Sequence, residues 1–384
     1  MRIFADESIA AVEETFGRFG DVTAVSGRRI SREMLRQADV LLVRAVTRVD
    51  ADLLAGTPVK FVGTATAGFD HIDVHGLRDR GIAVAHAPGS NAPSVCDYVI
   101  AAILRLAVQE ERRLSDLTCS VIGCGAVGER LASRLDHLGL TVLRSDPPLH
   151  DILKTRGLPS PFVDTDEAIP RADIITLHVP LHDISPYSTF GLITRDKLQT
   201  ARESAWIINT CRGQVVDENG LLDWLEGHPT GRAVVDVWTD EPDLSCELLA
   251  RASIGTAHIA GYAAEGKLRA SRMLRYALAR WIGEEVDDDR DHSEPIDIRF
   301  DQALADAESW LCGLVRSVYE IEDDHRALAP ICARSPKDRP AFFDALRKNY
   351  PPRHEFSRYR IHGQTVPPGL EHAVTRGLGM TIAA

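Results

Sequence analysis

Three features of the sequence predict an α/β fold with two doubly wound parallel sheets and a smaller C-terminal part. Short apolar, β-branched runs recur about every twenty residues and alternate with helix-like stretches, the pattern of βαβ units. One of these runs leads straight into a glycine-rich turn of the form G-x-G-x-x-G ahead of a helix. The chain, at 384 residues, is long enough to fill two or three cores.

In chain order, the first ninety or so residues carry the runs Arg2–Ala5, Val22–Val25, Val40–Val43, Val59–Gly63 and Ile82–Ala85. A long helix is expected from Pro93 to Leu114, with Ser90 or Asn91 as its cap and a proline early, where a missing N–H costs nothing. Six more runs follow: Ser120–Ile122, Thr141–Leu143, Ile174–Val179, Ala205–Asn209, Ala233–Val237 and Ile254–Ala257. With helices between them, they make a complete nucleotide-binding sheet. From Glu265 to Ile282 the pattern is an amphipathic helix that can return the chain to the first sheet. Glu284–Arg299 is dominated by acidic residues and is expected to be a solvated linker. The remaining stretch has its own apolar periodicity (Trp310, Leu311, Leu314, Val315, Tyr319) and then proline breaks at Pro330–Pro340 and Pro351–Pro352. A small third domain and an oligomerisation arm both fit it.

Composition narrows the functional classes. Hydrophobic residues at 44% and charged residues at 26% lie in the ordinary globular range. The 44 basic and 56 acidic residues give a net charge of -12, which repels phosphate backbones, so nucleic-acid binding is not expected. A local cationic pocket can still take a small anion. The opening MRIFADESIA lacks the basic stretch and apolar core of a secretion signal, and no window is expected to span a membrane. The seven cysteines (96, 119, 124, 211, 246, 312, 332) are odd in number and contain no C-x-x-C pair. Neither a disulfide framework nor a zinc site is expected, and the protein is taken as cytoplasmic with reduced thiols and no metal.

The glycine signal is Ser120-Val-Ile-Gly-Cys-Gly-Ala-Val-Gly128. Gly123 permits the tight turn, Gly125 lets backbone approach a pyrophosphate, and Gly128 allows close packing of helix on sheet. Backbone N–H groups at the helix start then face the anion. Asp146 ends the next strand, eighteen residues beyond Gly128, where a carboxylate would bond the adenosine ribose and repel the extra phosphate of NADP. NAD is the expected cofactor, with Arg144 nearby as a counter-indication.

Three residues stand at or just past the ends of later strands, where open α/β sheets bind ligands: Arg212, Glu241 and His258. Singly, each has an ordinary structural explanation: a surface ion pair, a cap before Pro242, a strand-end histidine. Together, behind a dinucleotide fold, they match the needs of hydride transfer at a 2-hydroxy acid. A guanidinium fork holds the carboxylate and polarises the C2 oxygen. Histidine moves the hydroxyl proton near neutral pH, and a carboxylate sets its tautomer. Cys124 and Cys211 are expected only to pack, His71 and Asp73 either to form a turn or to border the substrate, and His178 to flank the cofactor without a catalytic role.

The motifs NTCRG (209–213), DVWTDEP (236–242) and HIAGY (258–262) resemble those of the D-2-hydroxyacid dehydrogenases, over roughly Arg2 to Glu284. The resemblance implies that Arg212 grips the carboxylate and C2 oxygen, His258 is the acid/base and Glu241 its partner. It implies an NAD site lined by Gly123, Gly125, Val127, Gly128, Asp146, Thr176, Thr210, Asp236 and Gly261, and substrate contacts from Arg44, Thr66 and Tyr262. KFVGTATAGFDHID (60–73), SIGTAHIAGY (253–262) and FDALRKNY (343–350) resemble a branch that acts on a small phosphorylated 2-hydroxy acid and forms homodimers through an extra C-terminal domain. The implied organisation is a flavodoxin-like substrate domain (1–92 and 259–285), a Rossmann NAD domain (93–258) and a small α+β dimerisation domain (286–384).

One departure concerns the substrate loop, Arg44-Ala-Val-Thr47, where the family pattern carries serine in place of Ala45. No G-x-x-x-x-G-K-[ST] loop exists to hold a phosphate, so that role is assigned to Arg44, with a second cation from Arg347, Lys348 or Arg353. Two other readings stay open: a relative acting on 3-phosphoglycerate or a glyoxylate-type acid, and a non-catalytic NAD-sensing dimeric regulator. Turnover separates the last from the others.

Overall fold

A computed structural model describes residues 1–286, 293–362 and 365–383. The centre of the acidic linker, 287–292, lies outside the described residues. Two compact units emerge: 1–92 with 262–293, and 93–261 with 294–384.

The first unit holds a parallel sheet of β1 (Arg2–Asp6), β2 (Asp21–Val25), β3 (Val40–Val43), β4 (Phe61–Thr64) and β5 (Ala83–His86), in the order β2-β1-β3-β4-β5. That is the flavodoxin-like order. Strands β3 and β4 are buried along their whole length, because each face of the sheet is covered. One face packs Ile3, Val40 and Phe61 against Leu274 and Leu278 of the helix Ala264–Ile282; the other packs Leu41, Val43 and Val62 against Leu35, Leu54 and Leu77. The helix stops at Gly283, whose φ of 79° is the left-handed conformation glycine adopts freely.

The second unit is built on six parallel strands: β6 (Thr118–Ile122), β7 (Thr141–Ser145), β8 (Ile174–Leu177), β9 (Trp206–Asn209), β10 (Arg232–Val235) and β11 (Ile254–Gly255). Their order is β11-β10-β9-β8-β6-β7. Beyond β7 the Val163 N–H bonds the Arg144 carbonyl at 2.9 Å, laying an extended segment where the third strand of the usual 3-2-1-4-5-6 order runs. The chain changes direction between β6 and β8, so the crevice at their carboxyl ends is the binding position of this topology.

Residues 294–384 add a small parallel sheet, β12 (Ile296–Ile298), β13 (Tyr359–His362) and β14 (Thr381–Ala383), and several helices. The sequence pattern suggested a separate part beginning near 286, yet these residues group with 93–261. The cause is apolar: Leu328, Ile331 and Phe343 are fully buried in the same core as Ile207, Trp224 and Trp238. His325 Nδ1 also accepts the Gly255 N–H at 3.0 Å, covering the last strand of the six-stranded sheet.

Two expectations need correction. Cys246 and Cys332 form a disulfide, with 86 residues between them in sequence and a Cα–Cα distance of 5.5 Å, so not every thiol is reduced. Spacing alone could not reveal a pair made by the fold. The helix expected to reach Leu114 ends at Gln109, because Glu111 turns left-handed (φ 52°) and the Arg112 N–H closes back on the Ala107 carbonyl at 2.8 Å. By length and composition that 18-residue helix, Ala92–Gln109, could cross a membrane, though Asp97 and Arg105 interrupt its apolar run. It is 78% buried inside the protein, the position of a core helix.

Candidate active site

The glycine loop follows β6 directly. Gly123 has φ 87°, and a Cβ there would meet the His178 carbonyl oxygen at 2.6 Å. At Gly128 a Cβ would fall 1.8 Å from the Gly123 carbonyl oxygen, so only glycine lets the helix Gly128–His137 start this close to the strand. Gly125 is different: no described heavy atom lies within 4 Å of its Cβ position, leaving room for a phosphate group to approach the backbone. Val127 precedes the helix as its cap. Asp146 caps the helix Pro147–Thr155 through the Leu149 N–H and accepts the Cys124 N–H at 2.9 Å, which fixes a carboxylate at the loop. Arg144, the counter-indication to NAD, is held by Asp136 at 2.7 Å and Glu129 at 3.3 Å. These residues fit a dinucleotide with an unphosphorylated ribose.

Of the other cofactor candidates, Thr176 is fully buried on β8 and hydrogen-bonds His178 Nε2 at 2.9 Å. Burial pushes the His178 imidazole down to about 3, so it is neutral at working pH. Thr210 Oγ1 is buried with no partner among the described residues. Gly261 ends the loop after β11. Asp236 is buried, and its carboxylate accepts from Thr256 Oγ1 at 2.6 Å and from the N–H groups of Ile259 at 2.7 Å and Ala260 at 2.9 Å. Its side chain therefore anchors the loop that carries His258.

Arg212, Glu241 and His258 stand beyond the carboxyl ends of β9, β10 and β11, three neighbouring strands in register at Asn209, Val235 and Gly255. His258 Nδ1 lies 2.7 Å from Glu241 Oε2. The second Glu241 oxygen accepts the Trp238 N–H at 2.9 Å. Burial of Glu241 works to raise its pKa, but the charge and hydrogen bond of His258, the Trp238 N–H and the charge of Arg347 together hold it below the usual carboxylate range. An ionised carboxylate only accepts, so Nδ1 carries the proton and Nε2 is left for exchange. Arg212 sits in a loop that Asn209 ties down: its Oδ1 accepts the Cys211 N–H and its Nδ2 donates to the Arg212 carbonyl. Gly213 lies so close to the Trp238 backbone that a Cβ would be 2.1 Å from it, and Gln214 Nε2 donates to the Thr239 carbonyl at 2.6 Å. The arginine loop and the glutamate loop are thus stitched together.

The three substrate candidates belong to the first unit. Arg44 Nη2 donates to the Tyr262 hydroxyl at 3.1 Å. The Thr66 hydroxyl donates to the Gly68 carbonyl at 2.7 Å and meets Thr64 Oγ1, which in turn meets His71 Nε2, so His71 supports the turn. Ala45 is exposed beside Arg44. The trio offered as a second phosphate cation divides. Arg353 is buried, and its Nη2 donates to the carbonyls of Ile259 and Ala260, which removes it from that role. Arg347 acts on Glu241, and Lys348 is exposed at the helix end. Burial raises the thiol of Cys211 and takes that of Cys124 up to about 12, so both stay protonated and pack rather than attack.

Asn209 and Trp238 hold the site together without a role assigned to them from sequence, and Arg353, offered there as a phosphate cation, instead bonds the loop after β11. An asparagine closing a strand before a turn is a local signal for the first. Nothing local marks Arg353, which bonds residues more than ninety positions away.

A parallel six-stranded sheet with this glycine loop and a half-buried Glu–His pair defines a nicotinamide-dependent dehydrogenase. The chain belongs to the D-isomer specific 2-hydroxyacid dehydrogenases, as an NAD-dependent oxidoreductase. The family's NAD-binding domain matches residues 105–260, and a domain of unknown function (DUF3410) matches residues 293–374. An erythronate-4-phosphate dehydrogenase of Salinibacter ruber is 41% identical over 390 residues, covering 100% of this chain and 99% of that protein. One from Escherichia coli K12 is 42% identical over 357 residues, 93% of each. Among solved structures, D-lactate dehydrogenase from Aquifex aeolicus, complexed with NAD and lactic acid, is similar with a TM-score of 0.61 at 24% identity, covering 74% of this chain and 96% of that one. The NAD-bound 3-phosphoglycerate dehydrogenase of Entamoeba histolytica has a TM-score of 0.62 at 22% identity, covering 74% and 95%. At that identity the two share the fold.

Proposed function

We propose that this protein oxidises 4-phospho-D-erythronate to 2-oxo-3-hydroxy-4-phosphobutanoate with NAD, in the biosynthesis of pyridoxal 5'-phosphate. The observation that carries the reading is the likeness to erythronate-4-phosphate dehydrogenases over the whole chain, C-terminal segment included. NAD, when bound, supplies the hydride acceptor. Arg212 holds the substrate carboxylate and the C2 oxygen with its fork. His258 Nε2 takes the hydroxyl proton while the C2–H bond releases its electron pair as hydride, and the C2 carbonyl forms. Nδ1–H stays on Glu241, which stabilises the imidazolium. Arg44 binds the phosphate, and Thr66 and Tyr262 contact the acid. A homodimer through the C-terminal segment and a cytoplasmic site of action complete the reading. Sedimentation of the full chain tests the dimer, because a truncation would uncover the core that Leu328, Ile331 and Phe343 fill.

The direct test is a rate panel at the NADH absorbance: 4-phospho-D-erythronate, 3-phosphoglycerate, D-glycerate and D-lactate, with wild type and Arg44→Ala. The phosphorylated four-carbon acid should be preferred, and Arg44→Ala should lose most of that preference, by about tenfold or more for a charge-assisted contact. A better substrate elsewhere in the panel, or NAD binding without turnover on any acid, would overturn the proposal. An undiminished preference in Arg44→Ala removes Arg44 alone.

A further inference from the structure

The loop leaving β11 is held on both of its polar sides. The Asp236 carboxylate takes the N–H groups of Ile259 and Ala260, at 2.7 and 2.9 Å. Their carbonyls accept from Arg353 Nη2, on a segment more than ninety residues further along. Arg353 is only 6% exposed. Its guanidinium lies 4.5 Å from the centroid of the Tyr319 ring and 5.8 Å from that of Tyr350, and both tyrosine hydroxyls donate to Asp324 Oδ2 at 2.8 Å. The cation therefore sits in a built cage of two rings and a carboxylate. Burying a guanidinium is costly unless it is compensated, and here the compensation is aimed at two peptide carbonyls.

The residue just before those carbonyls is His258, with φ 55°. A non-glycine residue keeps that conformation only where its surroundings over-determine it. Asp236 alone restrains one side of the following peptides; Arg353 restrains the other.

From this we infer that Arg353 is a positioning residue for His258. By gripping the Ile259 and Ala260 carbonyls opposite Asp236, it fixes the backbone that aims the imidazole, so that Nδ1 meets Glu241 while Nε2 faces the reacting hydroxyl. The C-terminal segment is then part of the catalytic apparatus as well as of the core. The inference rests on the reading of His258 as the acid/base.

The experiment compares Arg353→Lys and Asp324→Asn with wild type and His258→Asn, each checked for folding by circular dichroism, using NAD and 4-phospho-D-erythronate. Lysine keeps the charge but loses the planar guanidinium whose Nη2 donates to both carbonyls; asparagine loosens the cage. In both, kcat should fall about 10- to 100-fold, the cost of a misplacement on the ångström scale, with KM for NAD roughly unchanged. The solvent deuterium isotope effect on kcat should rise as proton transfer to His258 becomes limiting, a change that general loosening of the fold would not produce. Folded Arg353→Lys with wild-type kcat and isotope effect overturns the inference. If Arg353→Lys does not fold, Asp324→Asn decides by the same criteria. Should His258→Asn retain full turnover, the acid/base reading itself fails; an inactive His258→Asn beside unaffected Arg353→Lys and Asp324→Asn sinks only the positioning role.

Discussion

Two loops of the second unit solve the same problem, presenting a precise backbone at a strand end, by opposite means. The turn from Gly123 to Gly128 is shaped mainly by its own residues, with outside ties only from its first N–H groups to Ser145 and Asp146. Its shape comes from absent side chains: one glycine at positive φ, one pressed against a carbonyl, one facing open space. The loop from His258 to Gly261 has no such local solution. A histidine occupies the left-handed region, and the restraint comes from Asp236 on the preceding strand end and Arg353 on a distant segment. A loop that binds backbone-to-phosphate can be written into adjacent residues. One that must aim a side chain borrows its rigidity from the fold.

The contrast can be broken first at its chemical centre. His258→Asn should lower kcat by roughly 100- to 10,000-fold, the usual contribution of a positioned acid/base, and leave KM for NAD nearly unchanged. A kcat close to wild type would remove the need for the rigid loop. Next comes the glycine turn, where two similar substitutions should separate. Gly128→Val places its Cβ against the Gly123 carbonyl oxygen and should cost about 3 kcal/mol or more of stability, seen as a lowered Tm. Gly125→Val enters open space and should keep Tm, yet raise the Kd for NAD about tenfold or more through lost backbone approach. Equal Tm losses in both would mean the two glycines do one job.

The smallest effect sharpens the setting of the glycine turn through His178, whose carbonyl backs Gly123. Burial holds its folded value near 3, against an ordinary 6.5. Below about pH 6.5 the unfolded chain takes a proton that the folded one refuses, so stability falls as pH drops through that window. Urea titrations at pH 4, 5 and 6 should show a loss from this group of about 1.4 kcal/mol per pH unit, absent in His178→Gln. Identical slopes in the two proteins would mean His178 titrates normally.

Much of the scaffold was legible before any coordinate. All eleven strands of the two large sheets coincide with the runs read from sequence, with shifts of a residue or two at the ends; the central strands β3, β4, β8 and β9 are mostly apolar because both of their faces are covered. The long helix was overextended because the stretch Gln109-Glu-Glu-Arg-Arg113 is a good helix former by composition, and a single left-handed Glu111 stops it. In the candidate site, Arg212, Glu241 and His258 were visible as strand-end residues. The Glu241–His258 contact was expected, and the 2.7 Å separation supplies its geometry.

Periodicity, glycine spacing and strand-end chemistry are properties of neighbouring residues, and so they could be read directly from the chain. The Cys246–Cys332 bond, the joining of residues 294–384 to the nucleotide-binding core, and the two-sided grip on the His258 loop could not. Each joins residues separated by tens of positions, and such pairs acquire a distance only when the sheets and helices between them have packed. A buried arginine has the same letter as a solvated one; its desolvation and its partners arise with the fold.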